Sequence, residues 1–233
     1  MMEIIAEIGQ NHNGDMGLAK ELIQSAAENG ADVAKFQLYD AKALFPKDGN
    51  PWYEYNCKTQ LSREQLEELN EECQHVGIEF MTSVFDVERI AWTEDLDVKR
   101  YKIASRSIND DALIQAFIET EKQIIASLGM WNGNDFPVIN SIIDVQYLYC
   151  ISKYPTDLED LHFSEVSFDR YAGFSDHSIG ITASIAACAR GAKILEKHFT
   201  LDKTLYGPDH EGSMSPAELS DISKFRNEFE RCL

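Results

Sequence analysis

The chain has 233 residues, of which 44% are hydrophobic, so it is a globular sequence long enough to bury a large core. Its 40 acidic residues outnumber 21 basic ones, and the net charge of −19 argues against nucleic-acid or anionic-membrane partners. No apolar stretch approaches the roughly 18 residues of a membrane-spanning helix, and the N-terminus lacks a basic signal region. The five cysteines include no C-x-x-C pair, so we expect a cytoplasmic protein with reduced thiols.

A short apolar run rich in Ile, Val or Phe, followed by a loop and a segment of helical period, recurs eight times. Ser62 and Gln65 form a predicted capping box, Gly77 ends the same helix, and Ser215-Pro216 begins the last one. The apolar runs are 4–8, 32–37, 79–85, 100–105, 122–128, 145–152, 172–177 and 193–199. The predicted helices are 18–29, 62–76, 87–96, 110–121, 136–142, 181–190 and 217–231, with a turn-rich stretch over 157–168.

Eight β/α units in a chain of this length predict an α/β fold, a closed (β/α)8 TIM barrel forming a single domain over 1–233. The alternative is an open doubly wound sheet, which usually carries a G-x-G-x-x-G loop after its first strand. Here that loop reads GQNHNG, which favours the barrel. The connection over 39–61 is long for a βα loop, and loops of this length are usually functional lids or disordered.

Polar side chains follow nearly every predicted strand, at the end where TIM barrels carry their active sites. A purely structural polar ring is the alternative to a single site seen from many sides. The residues at these ends are Glu7, Asn11, His12, Lys35, Gln37, Thr82, Ser83, Asp86, Lys102, Ser105, Ser127, Ser152, Tyr154, Ser175, Asp176, His177, Glu196, Lys197, His198, Asp209 and His210.

Two kinds of chemistry are present among these residues. One is a set of ammonium and hydroxyl donors suited to a phosphate or carboxylate, namely Ser83, Lys102, Ser105, Ser127 and Ser152. The other is a pair of imidazoles on neighbouring strands, His177 and His198, which suits a borderline divalent metal unless each is a satisfied structural residue. His12 and His210 are candidates of second rank, and His75 and His162 are interpreted as structural.

Several segments together resemble the N-acetylneuraminate (sialic acid) synthase family, from residue 4 to about residue 215. They are, in chain order, IIAEIGQNHNGD, GADVAKFQ, YKIAS, SLGM, YPT, GFSDHSIG, GAKILEKHFTLDK and GPDH. The resemblance implies a (β/α)8 barrel that condenses phosphoenolpyruvate with an N-acetylated hexose such as N-acetylmannosamine, giving a nonulosonic acid and phosphate. It also implies a divalent cation, commonly Mn²⁺ with Mg²⁺ or Co²⁺ as alternatives, acting as a Lewis acid on the sugar aldehyde.

Individual roles follow from the same resemblance. His177 and His198 would be the metal ligands, and Glu7, Lys35 and Gln37 the catalytic group, with Glu7 handling protons or orienting water. Tyr154, Glu196 and Asp209 match positions near the sugar. The phosphoenolpyruvate-binding positions, with Ser175 added as a further substrate-binding residue, are Ser83, Lys102, Ser105, Ser127, Ser152 and Ser175.

The sequence also departs from the family pattern. Arg106 stands where members usually have Gly, Leu128 where they have Thr, and Val84 where they have Pro. Full-length members append a C-terminal antifreeze-like domain that reaches the partner's site in a dimer, whereas we expect this chain to be the barrel alone, with a homodimer left open. A divergent member using another aldose or aldol-type reaction, and a non-catalytic binding barrel, are the competing interpretations.

Overall fold

The computed structural model describes all 233 residues and contains a closed barrel of eight parallel strands, so the open-sheet alternative is wrong. Each strand pairs with the next in chain order, and β8 returns to β1. The strands are β1 Glu3–Gly9, β2 Val33–Leu38, β3 Glu79–Val84, β4 Arg100–Ile103, β5 Gln123–Ser127, β6 Gln146–Cys150, β7 Gly173–Asp176 and β8 Ile194–His198. The helices are α1 Met16–Glu28, α2 Ala41–Leu44, α3 Tyr53–Thr59, α4 Arg63–Val76, α5 Val87–Glu94, α6 Asp111–Glu119, α7 Thr182–Ala189 and α8 Pro216–Glu230.

Local sequence signals set the helix ends where they were predicted. The Ser62 hydroxyl accepts from the Gln65 amide and the Gln65 side chain accepts from the Ser62 amide, so the capping box of α4 is present. Gly77 ends α4 with φ of 80°, a left-handed conformation that glycine adopts without a Cβ penalty. Ser215 caps α8 with Pro216 in its first turn, as expected.

The predicted helix over 136–142 is wrong, because no helix covers β5–β6 on the outside of the barrel. The chain there is irregular, and Phe136 packs its ring against Tyr147 and Tyr171 at centroid distances of 5.0 and 4.7 Å. Tyr147 also donates its hydroxyl to the carbonyl of Pro137. Aromatic packing against the strands thus replaces the helix. The turn-rich stretch before β7 contains two short 3-10 helices, Leu158–Leu161 and Phe163–Glu165.

The long connection over 39–61 is folded onto the barrel mouth and carries α2 and α3. Tyr39 is fully buried and lies 2.9 Å from the Thr59 hydroxyl. Tyr55 donates to the carbonyl of Gln10 at 2.9 Å and to Asn13 Oδ1 at 2.6 Å. These contacts fix the connection against the loop that follows β1.

Side chains that point into the barrel form an apolar layer and, two residues further along each strand, a polar layer. Successive side chains of a strand alternate between faces, so positions i and i+2 stack along the barrel axis. The apolar layer consists of Ile5, Val33, Met81, Ile125, Leu148 and Ile194. The polar layer above it consists of Glu7, Lys35, Ser83, Lys102, Ser127, Cys150, Ser175 and Glu196. The outward-facing strand residues pack with the helices in a separate core of 41 buried residues.

Arg226 of α8 ties the end of the chain to its beginning. Its guanidinium pairs with Asp32, donates to the carbonyl of Gly30 at 3.1 Å and to that of Met2 at 3.2 Å. The Arg226 side chain is buried and that of Asp32 is partly exposed, so this contact closes the N-terminal end of the barrel at its surface. None of the helices is long and apolar enough to cross a membrane.

Candidate active site

Four buried charged side chains make up the floor of a cavity of about 430 Å³ at the carboxyl ends of the strands. Lys35 Nζ lies 2.6 Å from Glu7 Oε2 and 3.4 Å from Glu196 Oε2. Lys102 Nζ lies 3.7 Å from the other oxygen of Glu196. Gln37 donates to Glu7 Oε1 at 2.9 Å and so holds this carboxylate in place. Two ammoniums and two carboxylates therefore share one layer, and we call these four charged residues the ionic floor.

The ionic floor shifts the pKa values of its own members. Burial favours the neutral form of Lys35, but the carboxylates of Glu196 and Glu7 outweigh it and raise its pKa. Burial dominates at Lys102, whose pKa is lowered although Glu196 opposes the shift. Burial would raise the pKa of Glu196, yet Lys102 and Lys35 lower it to about 2. Glu196 therefore favours the charged form of both ammoniums, and Glu7 adds to this effect at Lys35.

Serine hydroxyls surround the two ammoniums. Ser83 accepts from Lys35 at 2.9 Å, and Ser127 accepts from Lys102 at 2.7 Å. Ser175 donates to Glu196 at 2.8 Å. Hydroxyls and ammoniums at this spacing are suited to the oxygens of a phosphate or carboxylate.

Gly129 creates space between two further serines. A Cβ added there would lie 2.5 Å from Ser152 Oγ and 3.0 Å from Ser105 Oγ, so no side chain fits without displacing them. Gly129 donates its amide to Ser105 Oγ at 3.1 Å, whereas the buried Ser152 hydroxyl has no partner. An unpartnered buried hydroxyl beside such a cradle is suited to binding an anionic ligand.

The two predicted metal-ligand histidines converge at the mouth of the cavity, with ring centroids 6.2 Å apart. His177 Nδ1 lies 2.8 Å from the carbonyl of Ile151, a contact that orients the ring and leaves Nε2 facing the Tyr154 hydroxyl at 3.0 Å. His198 Nδ1 is buried without a partner. No three His, Cys, Asp or Glu side chains are grouped closely enough to hold a metal alone. The pair therefore fits a cation that takes its other ligands from water and substrate.

A buried ion pair joins the strands that carry these histidines. Lys197 Nζ lies 3.2 Å from Asp176 Oδ2 and donates to the carbonyl of Ser178, and both charged side chains are fully buried. Lys197, one of the polar residues predicted at the strand ends, is thus paired within the protein and does not face the cavity as a free cation. Its position between β7 and β8 fixes the spacing of the adjacent histidines.

A wider cleft of about 1390 Å³ opens above the ionic floor and extends under the connection over 39–61. Asp209 and Tyr154 line it on one side, and Trp52 and Arg106 line it as well. Trp52 packs against Tyr206 at a centroid distance of 5.3 Å. The cleft has room for a second, larger substrate next to whatever the ionic floor binds.

All fourteen candidate site residues line the cavity or the cleft. The second-rank histidines do not. His12 is buried, which lowers its pKa to about 4, and His210 contacts Thr200 and Asn13. The sequence did not identify Cys150 as a site residue, although it lines the cavity and its Sγ lies 3.7 Å from His177 Nδ1. Strand alternation could have identified it, because Cys150 lies two residues after Leu148 and so points to the same face of β6.

Sequence similarity to known proteins identifies the family of the chain. The sequence model of the NeuB family matches residues 22–233. The chain belongs to the NeuB family. It is 37% identical to the N,N'-diacetyllegionaminic acid synthase of Legionella pneumophila, covering 94% of this chain and 69% of that protein. It is 33% identical to the human N-acetylneuraminate-9-phosphate synthase, covering 99% of this chain and 70% of that protein.

Solved structures of NeuB-type proteins share the fold. The N-acetylneuraminic acid synthetase of Leptospira borgpetersenii, solved in complex with citrate, aligns with a TM-score of 0.91 at 30% identity, covering 99% of this chain and 84% of that one. A truncated 3-deoxy-D-arabino-heptulosonate 7-phosphate synthase of Thermotoga maritima aligns with a TM-score of 0.72 at 16% identity, which shows a common fold only. The predicted TIM barrel and the resemblance to sialic acid synthases are thus confirmed.

Proposed function

We propose that this NeuB-family protein joins phosphoenolpyruvate to the aldehyde of an N-acetylated hexose similar to N-acetylmannosamine. The products would be a sialic-acid-type nonulosonic acid and phosphate, which makes the protein a transferase. The observation that carries the proposal is the ionic floor with its ring of serines, lying directly beneath two converging histidines. Relatives named as synthases of N-acetylneuraminate 9-phosphate and legionaminic acid support the same reaction class.

The phosphate and carboxylate of phosphoenolpyruvate would lie on the floor. Lys35 and Lys102 supply charge, and their partners Ser83 and Ser127 supply hydroxyls at 2.9 and 2.7 Å from the ammoniums. The cradle at Gly129 is suited to further oxygens of the same ligand. Because these donors are buried and preorganised, they can stabilise developing charge without reorganising.

The hexose would lie in the wider cleft, near Tyr154 and Asp209, with its open-chain aldehyde toward His177 and His198. These two histidines would hold a divalent cation, for which we propose Mn²⁺ with Mg²⁺ or Co²⁺ as alternatives. Such a cation, when bound, supplies Lewis-acid polarisation of the aldehyde. The protein's own contribution is to place the aldehyde carbon over C3 of the enol.

The proposed reaction forms one carbon–carbon bond and breaks the C2–O bond of phosphoenolpyruvate. C3 of phosphoenolpyruvate forms a bond to the aldehyde carbon, whose oxygen takes up a proton, and C2 is left electron-deficient. Water adds to C2 and loses its proton to a base, and the intermediate expels phosphate by cleavage of the C2–O bond. Glu7 is suited to be that base, because Gln37 and Lys35 hold its two oxygens at 2.9 and 2.6 Å.

A phosphate-release assay tests this function. We expect phosphate from phosphoenolpyruvate only when both Mn²⁺ and an N-acetylated hexose are present. In ¹⁸O-labelled water the label should enter the sugar acid and not the phosphate, because the bridging oxygen leaves with phosphorus. Release with only another class of aldose would support the divergent-member interpretation. No release with any aldose, together with no metal binding, would support the non-catalytic barrel.

A further inference from the structure

Arg106 is an arginine without a carboxylate in a strongly acidic chain. It lies in the short 3-10 helix Ser105–Ser107 that follows β4, exposed at the rim of the wider cleft. Its contacts are the carbonyl of Leu44 at 3.5 Å and the face of the Phe45 ring at 5.2 Å. By contrast, five other arginines lie within 4 Å of a carboxylate, namely Arg63, Arg89, Arg100, Arg170 and Arg226.

The contacts of Arg106 orient its guanidinium without neutralising it. Phe45 covers one face of the planar group, and the long contact to Leu44 occupies one nitrogen. The remaining N–H donors are free to form the parallel bonds that arginine makes with phosphate or carboxylate oxygens.

The position of Arg106 separates it from the proposed phosphoenolpyruvate site. Both lysines of the ionic floor line the deep cavity and not the wider cleft, whereas Arg106 does not line the deep cavity. Arg106 lines only the wider cleft, together with Trp52 and Asp209. An anion bound by its guanidinium would therefore belong to the second substrate.

We propose that the acceptor sugar is anionic, carrying a phosphate or carboxylate group that Arg106 binds. This inference rests on the proposed function and narrows its substrate class. Relatives named for N-acetylneuraminate 9-phosphate and for non-phosphorylated acids occur side by side, so the family name leaves the acceptor's charge open.

The test compares N-acetylmannosamine, its 6-phosphate and its 6-carboxylate (N-acetylmannosaminuronic acid) as acceptors for the full chain with Mn²⁺ and phosphoenolpyruvate. We expect kcat/KM for one anionic sugar to exceed that for the neutral one at least about tenfold, and the better of the two identifies the anion. Arg106→Gln should reduce this preference about 10- to 100-fold, as expected for lost charge-assisted hydrogen bonds. Arg106→Lys should restore part of the preference for the anionic sugar, since lysine carries the charge but lacks the planar set of N–H donors that pairs with two oxygens.

Lys47→Gln is the control, because it removes one exposed positive charge from the connection over 39–61, at a position outside the cleft. Equal kcat/KM for neutral and anionic sugars would overturn the proposal. So would an Arg106→Gln variant whose KM rises for phosphoenolpyruvate and not for the anionic sugar. A merely structural role through Leu44 and Phe45 would lower Tm and raise KM for every acceptor alike.

A calorimetric titration separates this proposal from the reaction itself. N-acetylmannosamine 6-phosphate and the 6-carboxylate are each titrated into the full chain without phosphoenolpyruvate. Binding of either that weakens about 10- to 100-fold in Arg106→Gln supports an anion-binding Arg106 even if no acceptor releases phosphate. Turnover with only the neutral sugar would uphold the reaction and overturn the anionic acceptor.

Discussion

Glu196 is the residue whose interpretation the structure changes most. The resemblance places it near the sugar, whereas the structure places it on the ionic floor, between the two lysines and under the Ser175 hydroxyl. A carboxylate in that position acts through Lys35 and Lys102. We interpret it as a positioning residue that favours the protonated form of both lysines at the proposed phosphoenolpyruvate site.

Glu196→Gln tests this interpretation through pH. Without the carboxylate, the pKa of Lys35 and that of Lys102 fall, so each ammonium loses its proton earlier as pH rises. We expect the KM for phosphoenolpyruvate to rise about tenfold or more toward pH 9 and much less near pH 6. Glu159→Gln on an exposed 3-10 helix is the control. A pH-independent increase in KM would contradict the charge-balancing role.

His177→Ala tests the metal-ligand assignment at the same scale. We expect Mn²⁺ binding, measured by calorimetry or paramagnetic resonance, to be lost, because His198 alone offers one nitrogen. His75→Ala, at an exposed position on α4, should bind Mn²⁺ like the unmodified protein. Full Mn²⁺ affinity in His177→Ala would refute the assignment.

At the scale of elements, the paired strands β7 and β8 determine the spacing of the histidines. The register places Asp176 beside Lys197. Their buried ion pair therefore lies between β7, which leads into His177, and β8, which ends at His198. Removing one partner of a buried pair leaves an uncompensated charge.

Lys197→Met should lower the free energy of unfolding by about 3–5 kcal/mol and weaken Mn²⁺ binding, because Asp176 is left buried and unpaired. Lys193→Met, at the exposed position directly before β8, is the control and should change the free energy of unfolding by less than about 0.5 kcal/mol. Urea unfolding and metal titration measure the two effects. A Lys197→Met variant with unchanged stability would show that the pair is not needed to hold the strands together.

Sequence reasoning reached these elements because local signals and strand periodicity act over a few residues. The capping box at Ser62 and the stop at Gly77 predicted the ends of α4, and the polar residues after each apolar run predicted the site at the carboxyl ends of the strands. It failed at 136–142, where packing of Phe136 against Tyr147 and Tyr171 decides the conformation. The sequence also did not show which polar residues belong to the ionic floor and which lie at the mouth of the cavity, because that depends on the layer of the closed barrel that each side chain occupies.

For the whole molecule, Arg226 links the last helix to the first strands. It pairs with Asp32 and donates to the carbonyls of Gly30 and Met2, so the two ends of the chain are held together at the bottom of the barrel. This contact lies at the opposite end from the site and bears on stability alone.

Arg226→Met should therefore lower the free energy of unfolding by about 1–3 kcal/mol, because the carbonyls of Gly30 and Met2 lose their donor and the partly exposed Asp32 loses its counter-ion. Arg231→Met, one turn further at the exposed end of the chain, should change it little. Chemical denaturation of both variants measures the difference. Equal stability of the two would show that the chain ends do not need this contact.

The apolar layer under the ionic floor closes the cavity at its inner end, so the cavity opens only toward the wider cleft. Whatever reaches the lysines must first pass the wider cleft, and an acceptor already seated there would block the passage. Under the proposed function, with phosphoenolpyruvate on the ionic floor, the substrates would enter in a compulsory order, phosphoenolpyruvate first. The products would leave in the reverse order, phosphate departing only after the new sugar acid has left the mouth of the cavity.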